Sequence, residues 1–218
     1  MEVVVISSPD RYKSEVEVVI ELFKLGLQTF HVRKPKFSIR KLKGYLSLFP
    51  SEYHDRIVIH SHHLLAKKFS LKGVHLTRKH KKKTIKTWLS LKYLTFFNPE
   101  LFITSSCHNL YNLLEHEYPY NYVFLSPVFD SISKEGHRSG YSETEIKNVL
   151  KKTKYRVYAL GGVDESKIEK IEELSFNGVA LLGALWNTED CPVELFKSIL
   201  KRKNHQSDIK INPIRIQI

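Results

Sequence analysis

The chain has 218 residues, 42% hydrophobic and 27% charged, and its 35 lysines and arginines outnumber 23 acidic residues to give a formal net charge of +12. That length fits one domain with a sizeable core; two cysteines, Cys107 and Cys191, exclude a disulfide framework or zinc knuckle, and no apolar run approaches the ~20 residues that span a bilayer. The positive excess sits largely at 78–83 and 151–154, beside predicted helices and without aromatic stacking partners, so it reads as solvated surface and as attraction for phosphorylated small molecules rather than as a nucleic-acid interface.

The N-terminus enters a strand over 3–7 with no basic region before it, unlike a signal peptide. The expected compartment is a reducing cytoplasm. A helix follows over 15–25, with Val16, Val19, Ile20 and Phe23 on one face. Strands are predicted over 29–33, 56–60 and 73–76, and His62 and His63 are expected to begin a helix. The connection over 77–99 is basic and poorly periodic, and its helix has the weakest pattern. Strands at 101–105 and 122–125 come next. Ser142 with Glu145 three residues on forms a capping-box pattern before 146–150. A strand over 156–160, a helix over 164–174, a strand over 178–182 and a helix over 192–201 complete the pattern.

Eight short, Val/Ile/Leu-rich strands separated by helix-length segments predict a closed parallel (β/α)8 barrel, a TIM barrel, as a single domain over 1–204. An open doubly wound sheet is the alternative, but no Gly-x-Gly-x-x-Gly follows the first strand. In the tail, 205–218, isoleucines alternate with polar residues and Pro213 interrupts them. An edge strand, a subunit contact and disorder are all open there, as is a homo-oligomer.

Working residues of such a barrel lie at the C-terminal ends of strands. Those ends carry Ser7 and Ser8; His31, Arg33 and Lys34; His60 and Ser61; His75; Ser105, Ser106 and His108; Ser126, Pro127, Ser131, Ser133 and Lys134; Gly161 and Gly162; and Gly183. Hydroxyls, Arg and Lys donate the hydrogen bonds that phosphate or pyrophosphate needs. His31 and Arg33 share strand parity and are expected to point into the mouth, where a buried Arg calls for an anion, either a bound one or a barrel carboxylate. The runs 157–163 and 178–184 each end a strand in glycine before a helix, the arrangement of a phosphate grip after strands seven and eight. Among the histidines, His60, His62, His63, His75 and His80 offer imidazoles for zinc, though consecutive residues face different ways. His108 could act as acid or base, or bond its own loop.

Together these motifs resemble the thiamine phosphate synthase / thiazole tautomerase family of (β/α)8 barrels. Its Gln-x-Arg-Glu-Lys motif corresponds to His31-Val-Arg-Lys-Pro35, and its Gly-Val-His-Leu to 73–76. Ser106-Cys-His108 matches its Ser-x-His. Ser126-Pro-Val-Phe-Asp-Ser-Ile-Ser-Lys134 matches its Gly-Pro-x-[FY]-x-Thr-x-Thr-Lys, and Ala159-Leu-Gly-Gly-Val163 its Ala-Ile-Gly-Gly-Ile. Its closing Gly-Val-Ala-Val run appears as Gly178-Val-Ala-Leu181.

The resemblance implies a transferase that joins a hydroxymethylpyrimidine pyrophosphate to a thiazole phosphate and releases pyrophosphate with the help of Mg2+. Arg33, Ser106 and Lys134 would bind the departing pyrophosphate, and Ser131 and Ser133 would touch the phosphates. Gly161, Gly162, Leu182 and Gly183 would hold the thiazole phosphate, His31 would bind substrate, and His108 would join the catalytic residues. The family's two magnesium carboxylates correspond to Ser61 and His80, so any ion would rest mainly on the substrate's pyrophosphate, or synthase activity would be weak or absent. Pro127 keeps the synthase residue where the tautomerase branch has its catalytic histidine. A thiazole phosphate tautomerase and a non-catalytic barrel that binds thiazole or thiamine phosphate are the alternatives.

Overall fold

Eight parallel strands pair in sequence order and close into a barrel: β1 (Glu2–Ile6), β2 (Phe30–Val32), β3 (Ile57–Ile59), β4 (Gly73–Leu76), β5 (Phe102–Cys107), β6 (Tyr122–Leu125), β7 (Val157–Ala159) and β8 (Gly178–Leu181). The structure is a computed structural model that describes residues 1–9, 14–82, 84–115, 118–129, 141–187 and 191–211, with the backbone alone at 84 and 203–211. Every strand falls where the apolar runs place it. The pairing of β1 with β8 closes the sheet, which rules out the open doubly wound alternative.

The helices around it are α1 (Glu15–Lys24), α2 (Ile39–Leu46), α3 (Leu65–Lys68), α4 (Arg78–Lys82), α5 (Thr84–Phe97), α6 (Glu143–Lys152), α7 (Ile168–Glu173), α8 (Gly183–Trp186) and α9 (Pro192–Ile211). Between β5 and β6 the described residues hold only a 3-10 turn, Tyr111–Leu114.

Strand parity divides the core in two. Outward residues such as Val5, Phe30, Ile57, Val74, Val157 and Val179 pack under the helices. Inward residues Val4, Ile6, Tyr122, Phe124, Tyr158 and Ala180 fill the barrel. This alternation is what a parallel strand buried on both faces requires. Gly178 points inward, and a Cβ there would lie 2.7 Å from the Tyr158 ring. The glycine gives that ring its place, stacked on Tyr122 at 4.3 Å between centroids.

Local signals act as the sequence implies at several helix ends. Helix α1 buries Val19 and Phe23 as expected, adds Leu22, and leaves Val16 and Ile20 half-buried against the core. The Ser142 hydroxyl accepts from the Glu145 N–H at 3.2 Å while the Glu145 carboxylate accepts from the Ser142 N–H at 2.8 Å, closing the capping box of α6. The expected helix over 77–99 forms, as α4 and α5, while other boundaries differ from expectation. Helix α5 shows no single-face period because its apolar residues run all round: Leu91 and Leu94 are buried, while Ile85, Trp88 and Phe96 are exposed. Helix α3 begins at Leu65, after His62 and His63, and His62 has φ +53°. Helix α9 continues through Ile211, so 205–211 extends a helix rather than adding an edge strand; residues 212–218 lie outside the described residues.

Candidate active site

The parity that fills the lower barrel with aromatic rings places polar side chains above them. His31 on β2, His60 just beyond β3 and His75 on β4 all point inward and are buried. The pairing of β2 with β3 aligns His31 with Val58, so His60 stands two residues higher on the neighbouring strand. His60 and His75 stack at 4.1 Å between centroids, with planes 17° apart. His31 Nδ1 lies 2.9 Å from His60 Nε2, and His31 Nε2 bonds the Tyr122 hydroxyl. His75 Nδ1 lies 2.9 Å from Thr104 Oγ1, and His75 Nε2 lies 3.1 Å from Ser106 Oγ.

These rings are neutral at physiological pH. Burial, and then the charge of His75, holds His31 well below the ordinary imidazole range. His60 is held down in the same way, by burial first and then by His75, His31 and Arg33. His75 is pushed down to about 3 by burial, followed by His63, Lys81, His80 and Arg33. Removing a charged imidazole from water is costly, so the uncharged form prevails.

The rim above is cationic and hydroxylic. Arg33 is exposed rather than buried, because β2 ends at Val32 and the chain turns outward there. Its backbone N–H donates to Ser7 Oγ at 2.8 Å. Among the described residues no carboxylate pairs with the Arg33 guanidinium, and its charge reaches His60 and His75. The buried cation is its neighbour Lys34, which lies 2.6 Å from the Glu15 carboxylate.

Ser106, His108 and His80 line one cleft of about 1030 Å³, together with Arg78, Lys81 and Trp88. His108 Nδ1–H donates to the Ser126 carbonyl at 2.9 Å, which leaves Nε2 as an acceptor. His80 Nδ1 accepts from the Thr77 N–H at 3.2 Å, and its ring faces His63 at 4.2 Å. Ser61 is half-buried beyond β3.

The glycine loops close the other side. Gly161 has φ +90° and Gly162 φ +66°. A Cβ on Gly161 would come within 3.0 Å of the Pro127 backbone, so this turn depends on glycine both for its conformation and for its approach to the β6 loop. Leu182 and Gly183 begin α8, which is fixed by the Trp186 indole N–H donating to the Ile6 carbonyl at 2.7 Å. Ser131, Ser133 and Lys134 lie outside the described residues.

A model of thiamine monophosphate synthases matches residues 3–185. The chain belongs to the thiamine monophosphate synthase family. A thiamine-phosphate synthase of Vibrio campbellii is 28% identical over 119 residues, 54% of this chain and 55% of that protein, so the match spans about half the relative's length. One from Methanococcus maripaludis is 22% identical over 183 residues, 82% of this chain and 84% of the relative. The crystal structure of a thiamine phosphate pyrophosphorylase from Bacteroides thetaiotaomicron superposes with a TM-score of 0.74 at 28% identity, covering 94% of this chain and 98% of the other. Within this family frame, the barrel mouth brings together Arg33, Ser106, His60 and His75, with the glycine turns at the ends of β7 and β8. Sequence reasoning passed over Tyr122, Thr104 and Glu15. Tyr122 reads as one more apolar position of a short strand, and only its parity with Phe124 points its hydroxyl toward His31.

Proposed function

We propose that this protein is a thiamine phosphate synthase that joins a hydroxymethylpyrimidine pyrophosphate to a thiazole phosphate. The bond between the pyrimidine methylene carbon and a pyrophosphate oxygen breaks, and its electron pair leaves with pyrophosphate. The thiazole ring nitrogen then supplies its lone pair to that carbon. No protein nucleophile is needed; positioning and stabilisation of the leaving anion carry the rate. The observation that carries this reading is the family match over 3–185 combined with an exposed, carboxylate-free Arg33 at the same mouth as Ser106 and the two glycine turns. In this reading Arg33 and Ser106, with Lys134, take the pyrophosphate. The amides of Gly162 and Gly183 take the thiazole phosphate.

The family's magnesium does not fit the residues present. Ser61 offers one neutral hydroxyl, and His80 Nδ1 is already occupied by Thr77. Magnesium takes hard oxygen ligands, carboxylates above all. Whatever magnesium the reaction uses therefore rests on the substrate's own phosphates. We also assign the enzyme to the cytoplasm, with phosphorylated small molecules as its partners; no helix of the described residues is long and apolar enough to cross a membrane.

Purified protein given both substrates, with and without magnesium, tests the proposal by release of pyrophosphate and formation of thiamine phosphate. Absence of both products under every condition overturns it. A second reading, thiazole phosphate tautomerisation, is favoured by one observation: the His108 bond to Ser126 leaves Nε2 free to act as a base. Tautomer conversion that disappears in His108→Gln, with no pyrophosphate released, would select that reading. Ligand-dependent thermal stabilisation without any turnover would select a binding barrel.

A further inference from the structure

We propose that His31, His60 and His75 form a three-imidazole site for one zinc-class transition-metal ion inside the barrel, at the floor of the mouth. The site goes beyond the synthase reading and does not depend on it. One ring nitrogen from each of the three lies within 4.8 Å of the other two, and all three side chains are buried. His31 and His75 lie on β2 and β4, and His60 directly follows β3 with its N–H still bonded to the Val32 carbonyl at 3.1 Å, so sheet register fixes all three.

The donor chemistry selects the metal. Imidazole nitrogen suits zinc, cobalt and nickel, whereas magnesium and calcium demand oxygen. Zinc–nitrogen bonds of 2.0–2.1 Å in tetrahedral geometry place ligand nitrogens about 3.3 Å apart. The 2.9 Å contact between His31 Nδ1 and His60 Nε2 would therefore open by a few tenths of an ångström, and the longer separations close by ring rotation.

A metal-bound imidazole is normally held by a hydrogen bond on its other nitrogen, which fixes the ring and its tautomer. Both outer rings have such partners. The Tyr122 hydroxyl meets His31 and is steadied by the stacked Tyr158 ring. Thr104 Oγ1 meets His75 Nδ1 at 2.9 Å, so Nε2 faces the metal, and the Ser106 hydroxyl now 3.1 Å from Nε2 would turn aside on binding. Interiors of these barrels are ordinarily filled by branched aliphatic side chains, so three convergent imidazoles depart from what packing alone would select. His60, 8% exposed, is the ring closest to solvent and marks the entry path. Among the described residues no buried side-chain polar atom lacks a partner, so the metal-free chain can fold and serves as the control.

The test uses tag-free full-length protein stripped with chelator, then titrated with Zn2+ or Co2+. The expected results are about one equivalent bound per chain, a raised Tm, and visible Co2+ bands of tetrahedral type. His60→Gln and His75→Gln should each abolish this binding, and Thr104→Val or Tyr122→Phe should weaken it about 10- to 100-fold. His63→Gln and His80→Gln should leave it intact. No binding by folded wild-type protein overturns the proposal. So does binding that survives in His60→Gln and His75→Gln but is lost in His63→Gln or His80→Gln. If the triad variants fail to fold, X-ray absorption of the zinc-loaded wild type decides: three imidazole nitrogens support the site, and any other ligand set overturns it.

Discussion

The Lys34 ammonium and the Glu15 carboxylate lie 2.6 Å apart with both side chains almost wholly out of solvent, joining the loop after β2 to the first turn of α1. Glu15 also accepts from the Ser8 N–H at 2.7 Å and from the Tyr45 hydroxyl at 2.8 Å, and Lys34 donates to the Ser8 carbonyl at 2.8 Å. One carboxylate thus fixes two rim loops and α2 relative to β1. Removing one partner of a buried pair costs far more than removing both, because the remaining charge stays desolvated. Glu15→Ala should cost about 3–5 kcal/mol in urea unfolding, and adding Lys34→Met should recover part of that loss. A double variant as unstable as the sum of the singles would show that the pair is not coupled.

Gly178 and Tyr158 make a second testable contact. A methyl group at 178 meets the ring at 2.7 Å, and the ring cannot retreat because Tyr122 stacks behind it. Gly178→Ala should destabilise by about 1–3 kcal/mol. In a Tyr158→Ala background the same substitution should be close to neutral. Equal costs in both backgrounds, measured by thermal or urea unfolding, would rule out this contact as the cause.

Arg33 separates function from stability. Its side chain is exposed, and its structural bond to Ser7 runs through the backbone amide, which Ala retains. Arg33→Ala should shift folding stability by no more than about 0.5 kcal/mol. It should lower kcat/KM for pyrophosphate release by roughly 10²–10³. Unchanged kinetics would remove Arg33 from the pyrophosphate site.

The buried imidazoles make the fold sensitive to acid. Burial, and then the charge of His80, pushes His63 down to about 4 from its ordinary 6.5. Between those values the unfolded chain binds a proton that the native state refuses. Stability is therefore complete above pH 6.5 and falls as the pH drops toward 4. His63 alone accounts for on the order of 3 kcal/mol over that window. His63→Gln, whose amide can still donate to the His75 carbonyl that His63 Nε2 now meets at 3.2 Å, should flatten the pH dependence by about one proton. Urea unfolding at several pH values between 4 and 7 reads this directly, and an unaltered slope would contradict it.

The amino-acid order by itself determined the barrel. Runs such as 57–59, 73–76 and 178–181 are short and β-branched, and the spacing between them leaves room only for crossovers; burial on both faces needs no more information than that. The glycine turns at 161–162 and 183 and the capping box at Ser142 were legible for the same reason, since each is set by neighbours in the chain. Family motifs carried Arg33 and Ser106 to the mouth. What sequence could not supply was distance between strands. It expected Arg33 to be buried in the mouth, but β2 ends one residue earlier and the guanidinium stands in solvent, while the adjacent Lys34 is buried against Glu15. It grouped His60, His62 and His63 with His75 and His80. The closed sheet keeps His60 with His75, 15 positions away, but adds His31, 29 positions away, in place of the others. Local preference fixes which face of a strand a side chain takes, but only barrel closure and register decide which other side chains it meets there.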